Sequence, residues 1–460
     1  MTYTKSDSHL LLAAKPGPVH FKGAASASNK TLSIHRWANW IAGFSGEFAQ
    51  SAIQLYLPFP QPDSLVLDPF AGVGTTLVEA YRAGINAVGF EINPFASLVT
   101  RVKLQSVDVD ISSLWASIKA YTEFMAPIEE FIDDQGHAGT GEMPKPRSSA
   151  PSGFVSRIPF FSQSIEPKVL YTLDFIETQP GLLQEFFRVA LASVMVGFSN
   201  YTYEPSLSSR PGAGKALITS APVGRIVKEK LVQMAEDTAK FQQEVSGLGR
   251  LPQWREHCSS YFDSSRILSP GSVDLVVTSP PYLNNYHYVR NTRPQLYWSA
   301  LASSPKELKV LEEQNFGKFW QTVRGRDPIA LNFKLPELEA QIAQVRRQNP
   351  GKGVYGGQGW ANYIAAYMND LYKFADLLAQ QLRPRSGVAV VVLGNSVIQG
   401  QPIPVERYLA EIASLHHLTI EGTHELRTRV GSSIVNTGAR LNGNKKYGLY
   451  DFAVVLRSPT

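Results

Sequence analysis

Apolar positions fall into short runs and helically spaced stretches divided by turn-forming residues, a rhythm that predicts an α/β chain. His35 to Leu57 spaces Trp37, Trp40, Ile41, Phe44, Phe48 and Ile53 along one face, predicting an amphipathic helix or two. Ser64 to Asp68 reads as a short buried strand, Pro69 to Thr75 as a glycine-containing turn, and Thr76 to Ala83 as a helix ended by Gly84. Asn86 to Glu91 is the next strand, and Pro94 opens another helix. Strand, tight turn, helix, strand is the opening of a doubly wound parallel sheet.

The rhythm breaks between 106 and 254. Gly/Pro/Ser-rich stretches there (Gly136 to Gly153, and around Ser206 to Gly214) flank helical patterns such as Leu182 to Val196, predicting an inserted, largely helical region. Strand character returns at Ser272 to Thr278. An irregular basic segment follows (303–358), then a long helix from Trp360 to Leu382 and an apolar strand from Gly387 to Leu393. Val405 to Ser414 reads as a helix, and His417 to Leu426 and Tyr450 to Leu456 as closing strands. Residues 1–30, polar and rich in Ser, Ala and Lys, read as a flexible arm. The chain thus divides into a main domain (1–105 and 255–460), a helical insertion (106–254) and the basic insertion 303–358.

At 460 residues the chain exceeds one small core. Mean hydropathy of −0.13 fits a soluble globular protein, no apolar run approaches the roughly 20 residues that span a bilayer, and no secretory leader is visible, so a cytoplasmic location without membrane attachment is expected. The single cysteine, Cys258, excludes intrachain disulfides and thiolate clusters and reads as a buried thiol; the nine histidines show no metal spacing, so no metal is expected. The +5 net charge favours a polyanionic partner, with basic residues concentrated in 306–352 and 427–457, whereas 105–250 is slightly acidic.

Two motifs carry chemistry. In Asp68-Pro69-Phe70-Ala71-Gly72-Val73-Gly74-Thr75-Thr76, the glycines let the backbone approach a ligand, and the helix start at Thr75 presents free N–H groups. Glu91, ending the next strand, is placed to accept hydrogen bonds from ribose hydroxyls. In Thr278-Ser279-Pro280-Pro281-Tyr282, the prolines fix the backbone, Ser279 and a neighbouring carbonyl offer two acceptors to an amino group, and Tyr282 offers a stacking face.

Together these motifs resemble the amino-group DNA methyltransferases, which make N4-methylcytosine or N6-methyladenine; the resemblance spans residues 35–105 and 255–460. It implies a Rossmann-like, seven-stranded, mostly parallel sheet that binds S-adenosylmethionine. It places the cofactor loop at Asp68 to Thr76, the ribose-binding acid at Glu91 with Asn93 beside it, and a preceding cofactor motif at Phe44 and Ser45. It also places the adenine contact at Asp263 and leaves Gly394-Asn395-Ser396 a recurring feature of undetermined role. Ser279 and the Pro280 carbonyl would hold the target amino group, and Tyr282 would stack on a base rotated out of duplex DNA. Serine before Pro-Pro-Tyr favours cytosine N4; the alternatives are adenine N6 or an RNA base amine. A C5-cytosine enzyme needs a cysteine nucleophile, which the context of Cys258 does not supply. The same resemblance makes 106–254 the candidate target-recognition domain and 303–358 the candidate DNA-contacting segment, and implies a restriction–modification or defence setting, where a cognate endonuclease is a possible partner.

Overall fold

The computed structural model describes residues 21–22, 29–40, 43–134, 144–204, 206–283, 286–429 and 448–459. The first helix, α1 (Gly46–Tyr56), starts where Ser45 caps it by accepting from the Phe48 N–H, and β1 (Leu65–Asp68) follows. Next come α2 (Thr75–Arg82), β2 (Asn86–Phe90) and α3 (Pro94–Gln105). The central part holds α4 (Ile111–Asp134), α5 (Glu166–Thr178) and α6 (Gly181–Val194), a small hairpin of β3 (Tyr201–Tyr203) and β4 (Leu207–Ser209), and α7 (Val223–Val245). Then β5 (Trp254–His257) and β6 (Leu275–Thr278) lead into α8 (Tyr288–Trp298), α9 (Pro305–Gln314), α10 (Trp320–Val323), α11 (Pro336–Arg346) and α12 (Gly357–Gln381). The chain closes with β7 (Val388–Gly394), the hairpin β8 (Ser396–Ile398) and β9 (Gln401–Ile403), α13 (Val405–Leu415), β10 (Thr419–Arg429) and β11 (Leu449–Arg457).

Seven strands form one sheet in the order β10-β11-β7-β6-β1-β2-β5. Pairings among β5, β2, β1, β6 and β7 are parallel, and β11 runs antiparallel to both of its neighbours. The expected Rossmann-like architecture is present. Side chains of β7 alternate faithfully: Val388, Val390 and Val392 face a core shared with α1 to α7, while Ala389, Val391 and Leu393 face α12 and α13. A continuous apolar strand is what burial on both faces demands.

The helices of 106–254 share the first of these cores through Tyr121, Phe187 and Phe241, among others. The segment Gly181–Phe198 is long and apolar enough by composition to cross a membrane, contrary to the expectation that no such run exists. Its Phe186, Phe187 and Leu191 are buried in that core. The stretch 303–358 is also more ordered than its irregular pattern suggests, because α9, α10 and α11 are short amphipathic helices cut apart by Gly and Pro. Cys258 is exposed rather than buried. It follows β5, an edge strand, which leaves that position at the solvent.

Candidate active site

Parallel strands deliver the functional residues to one end of the sheet, where open α/β folds bind ligands. At the end of β1, Asp68 is 3% exposed. Its Oδ1 accepts from the Phe70 N–H (3.1 Å) and from Thr278 Oγ1 (2.6 Å), so the two sequence motifs meet at one carboxylate. Burial pushes Asp68 up to about 6, against the pull of these hydrogen bonds. Beyond it the loop turns through Gly72 (φ 53°) and Gly74 (φ 80°), conformations that disfavour a side chain. Crowding reinforces this, since a Cβ on Gly74 would lie 2.7 Å from Thr100 Cγ2.

Helix α3 pins this loop from behind. Thr100 Oγ1 donates to the Gly72 carbonyl (3.0 Å), and the fully buried Lys103 donates from Nζ to the Val73 carbonyl (2.7 Å). Burial lowers Lys103 to about 7. From the front, Glu91 ties loop to strand: its Oε2 accepts from the Gly72 N–H (2.9 Å) and its Oε1 from the Asn93 N–H (2.7 Å). Burial pushes Glu91 up to about 7, with Glu256 and Asp68 adding to the shift.

A cavity of about 400 Å³ opens over this loop. Phe70, Phe262 and Phe316 supply an aromatic wall, with the Phe70 and Phe316 rings edge-on at 5.0 Å. Another wall comes from the N-terminal segment, including His35, Trp40 and Phe44. There Asn29 staples the segment to the start of α1, donating to the Phe44 carbonyl and accepting from the Gly46 N–H. The third wall is the Pro-Pro corner, through Ser279 and Pro281. Ser279 Oγ is buried with no hydrogen-bond partner among the described residues. A buried hydroxyl left unpaired costs stability. Among the described residues, no group of three or more His, Cys, Asp or Glu is placed to hold a metal ion.

Comparison with known proteins agrees with this geometry. Residues 26–100 match the family model described as DNA methylase. The chain is 24% identical to the Type II methyltransferase M.BsoBI of Geobacillus stearothermophilus over 89% of this chain and 84% of the relative. It is 22% identical to the Type II methyltransferase M.MvaI of Kocuria varians, over 86% and 85% of the two chains. A shorter match, 36% identical over 86 residues, is to M.MjaII of Methanocaldococcus jannaschii. The family model and these relatives support the amino-group DNA methyltransferases as the family of this chain.

Of the residues singled out from the methyltransferase sequence, Phe44, Asp68, Pro69, Phe70, Gly72, Thr75, Glu91, Asn93, Ser279 and Pro281 line the cavity. Others stand behind it. Gly74 caps α2, Ser45 caps α1, and Thr76 Oγ1 donates to the Val277 carbonyl (3.0 Å), joining α2 to β6. Two more of the singled-out positions do not line the cavity. Asp263 is exposed on the turn after β5 and does not line the cavity; Ser260, Tyr261 and Phe262 do, because the three-residue period of the short helix Tyr261–Arg266 buries Tyr261 and Ser264 and leaves Asp263 outside. Tyr282 is 6% exposed and packs in the core with α12, away from the cavity wall. The aromatic pair beside the corner is instead Trp40 and Tyr288, stacked at 6.2 Å. Sequence reasoning also missed His35, Ser260 and Phe316; they come from segments far apart in the chain, and no local spacing marks them. The feature Asn395-Ser396 now has a structural role. Asn395 pairs with the Gly448 carbonyl and the Tyr450 N–H, and Ser396 Oγ donates to the Leu283 carbonyl, bracing the segment that follows the Pro-Pro corner.

Proposed function

We propose that this DNA methyltransferase transfers a methyl group from S-adenosylmethionine to the exocyclic amino group of a base rotated out of duplex DNA, cytosine N4 in preference to adenine N6. The observation that carries the reading is that Ser279, whose buried hydroxyl has no partner among the described residues, lines the same cavity as the Asp68–Thr75 loop. The residues present fit the cofactor. Glu91 keeps lone pairs for ribose hydroxyls while its N–H partners hold it in place, the cavity of about 400 Å³ opens over the loop, and Phe70, Phe262 and Phe316 enclose a flat ring system. S-Adenosylmethionine, when bound, supplies a methyl group already activated on a sulfonium.

The protein's task is therefore alignment. Ser279 Oγ and the Pro280 carbonyl accept hydrogen bonds from the amino group, turning its nitrogen lone pair toward the methyl. Trp40 and Tyr288 offer the aromatic face for the extruded base, the role that the buried Tyr282 does not fill. Serine before Pro-Pro-Tyr supports cytosine, and the Type II relatives support a restriction–modification setting with a cognate endonuclease. The slight acidity of 106–254 favours 303–358 as the DNA-facing segment.

Incubation with tritiated cofactor and duplex DNA, RNA or protein tests the substrate class, and sequencing of DNA from expressing cells, sensitive to both modified bases, tests the position. Label in N4-methylcytosine within one short sequence is the expected result. Label confined to RNA, or to N6-methyladenine, overturns the corresponding part of the reading.

A further inference from the structure

The segment after α9 runs from the cavity outward. Gln314, Asn315 and Phe316 line the cavity; a few residues later, Trp320 stacks on Trp360 at 4.8 Å and 20°. The Arg324 guanidinium lies 4.6 Å from the Trp320 ring and 4.5 Å from that of Tyr355, which is 60% exposed. Tyr355 ends the exposed loop Asn349-Pro-Gly-Lys-Gly-Val-Tyr355. A side chain added at Gly351 or Gly353 would meet nothing within 4 Å, and Gly353 has φ +53°. Lys352 and Arg347 are exposed there, and neither has an acidic partner at salt-bridge distance among the described residues. From 318 to 355 the chain carries seven basic residues and three acidic ones.

This loop is not isolated from the chemistry. Asn349 Nδ2 donates to Gln399 Oε1 (2.6 Å) at the tip of the β8–β9 hairpin, and Gln341 Nε2 donates to the Pro402 carbonyl (2.9 Å) on its other strand. At the hairpin's base, Ser396 Oγ bonds the Leu283 carbonyl, four residues from Ser279. A chain of direct hydrogen bonds and one short hairpin thus joins an exposed basic loop to the Pro-Pro corner.

We propose that the loop 349–355 is a duplex-DNA contact of this enzyme, with Arg347 and Lys352 meeting phosphates and Tyr355 on Arg324 forming a groove wall, and that the β8–β9 hairpin couples its engagement to the corner carrying Ser279. The proposal rests on the reading of the chain as an enzyme acting on duplex DNA. A narrow tip in which Lys352 stands between two glycines, with Arg347 at its base, suits a groove bordered by phosphates, and cations without carboxylate partners are free to release counterions from DNA. Arg324, held over the Trp320 and Tyr355 rings, offers N–H donors alongside them.

The test uses the full chain and a fluorescent duplex carrying the sequence that the wild type methylates. In the double variant Arg347→Ala/Lys352→Ala, the slope of log K against log salt becomes shallower by about 0.9 for each lost phosphate contact, while calorimetric cofactor affinity and melting temperature stay at wild-type values. Tyr355→Ala weakens binding without altering the slope. Gln399→Ala, a positioning variant, leaves DNA affinity within about 2-fold and lowers the single-turnover transfer rate about 10-fold, a split that simple loss of the surface would not produce. An unchanged salt slope in the double variant, with a wild type that methylates duplex DNA, overturns the contact; equal rates for Gln399→Ala and wild type overturn the coupling. A wild type that labels RNA and no duplex DNA overturns the underlying reading instead.

Discussion

Replacing Ser279 with alanine separates function from folding, because the structure gives the two opposite signs. The hydroxyl oxygen is buried and has no partner among the described residues. Leaving such a group unsatisfied costs about 1–3 kcal/mol in a folded protein. Alanine removes the oxygen and leaves a void of one atom, so the variant is expected to gain about 1 kcal/mol of stability and melt roughly 1–2 °C higher. Transfer should move the other way. Loss of one of two acceptors for the amino group is expected to lower the single-turnover rate roughly 100-fold, about 2.7 kcal/mol of transition-state stabilisation. Cofactor affinity should stay within about 2-fold, since the loop contacts at Glu91 and Gly72 are untouched. Thermal melting, calorimetry with cofactor and rapid-quench transfer of tritiated methyl read the three quantities separately. A variant that melts several degrees lower, or transfers methyl at nearly the wild-type rate, would refute the assignment.

Other expectations follow from the same geometry. Asp68→Ala deprives Thr278 Oγ1 and the Phe70 N–H of their acceptor and loosens the cofactor loop, so cofactor affinity is expected to fall by roughly 10-fold or more in calorimetry; unchanged affinity would count against the loop. Burial holds Lys103 at about 7 against an ordinary 10.5, so between those values the unfolded chain carries the extra proton and stability rises with pH. In urea titrations the wild type should therefore gain about 2 kcal/mol over Lys103→Met between pH 7 and 9, and parallel pH profiles would remove this cause. Asp263→Ala should leave cofactor affinity within about 2-fold, because that side chain lies in solvent; a 10-fold loss would restore it to the site.

What the amino-acid sequence determines by itself is local and periodic. The glycines at 72 and 74, the capping residues Ser45 and Asn93, and the unbroken apolar run of β7 specify turns, helix starts and a strand buried on both faces, because each depends on residues within a few positions. The strand–loop–helix around Asp68 and the Pro-Pro corner are therefore legible as motifs. Their meeting is not. That Thr278 reaches Asp68 across 210 positions, that Lys103 and Thr100 pin the loop carbonyls, and that Phe316 and His35 complete the cavity are outcomes of strand order and helix docking. The misassignments have the same origin. Asp263 and Tyr282 carry suitable chemistry beside true lining residues, but which of two neighbours points inward is set by the turn of a short helix and the packing of α12, and only tertiary structure decides that.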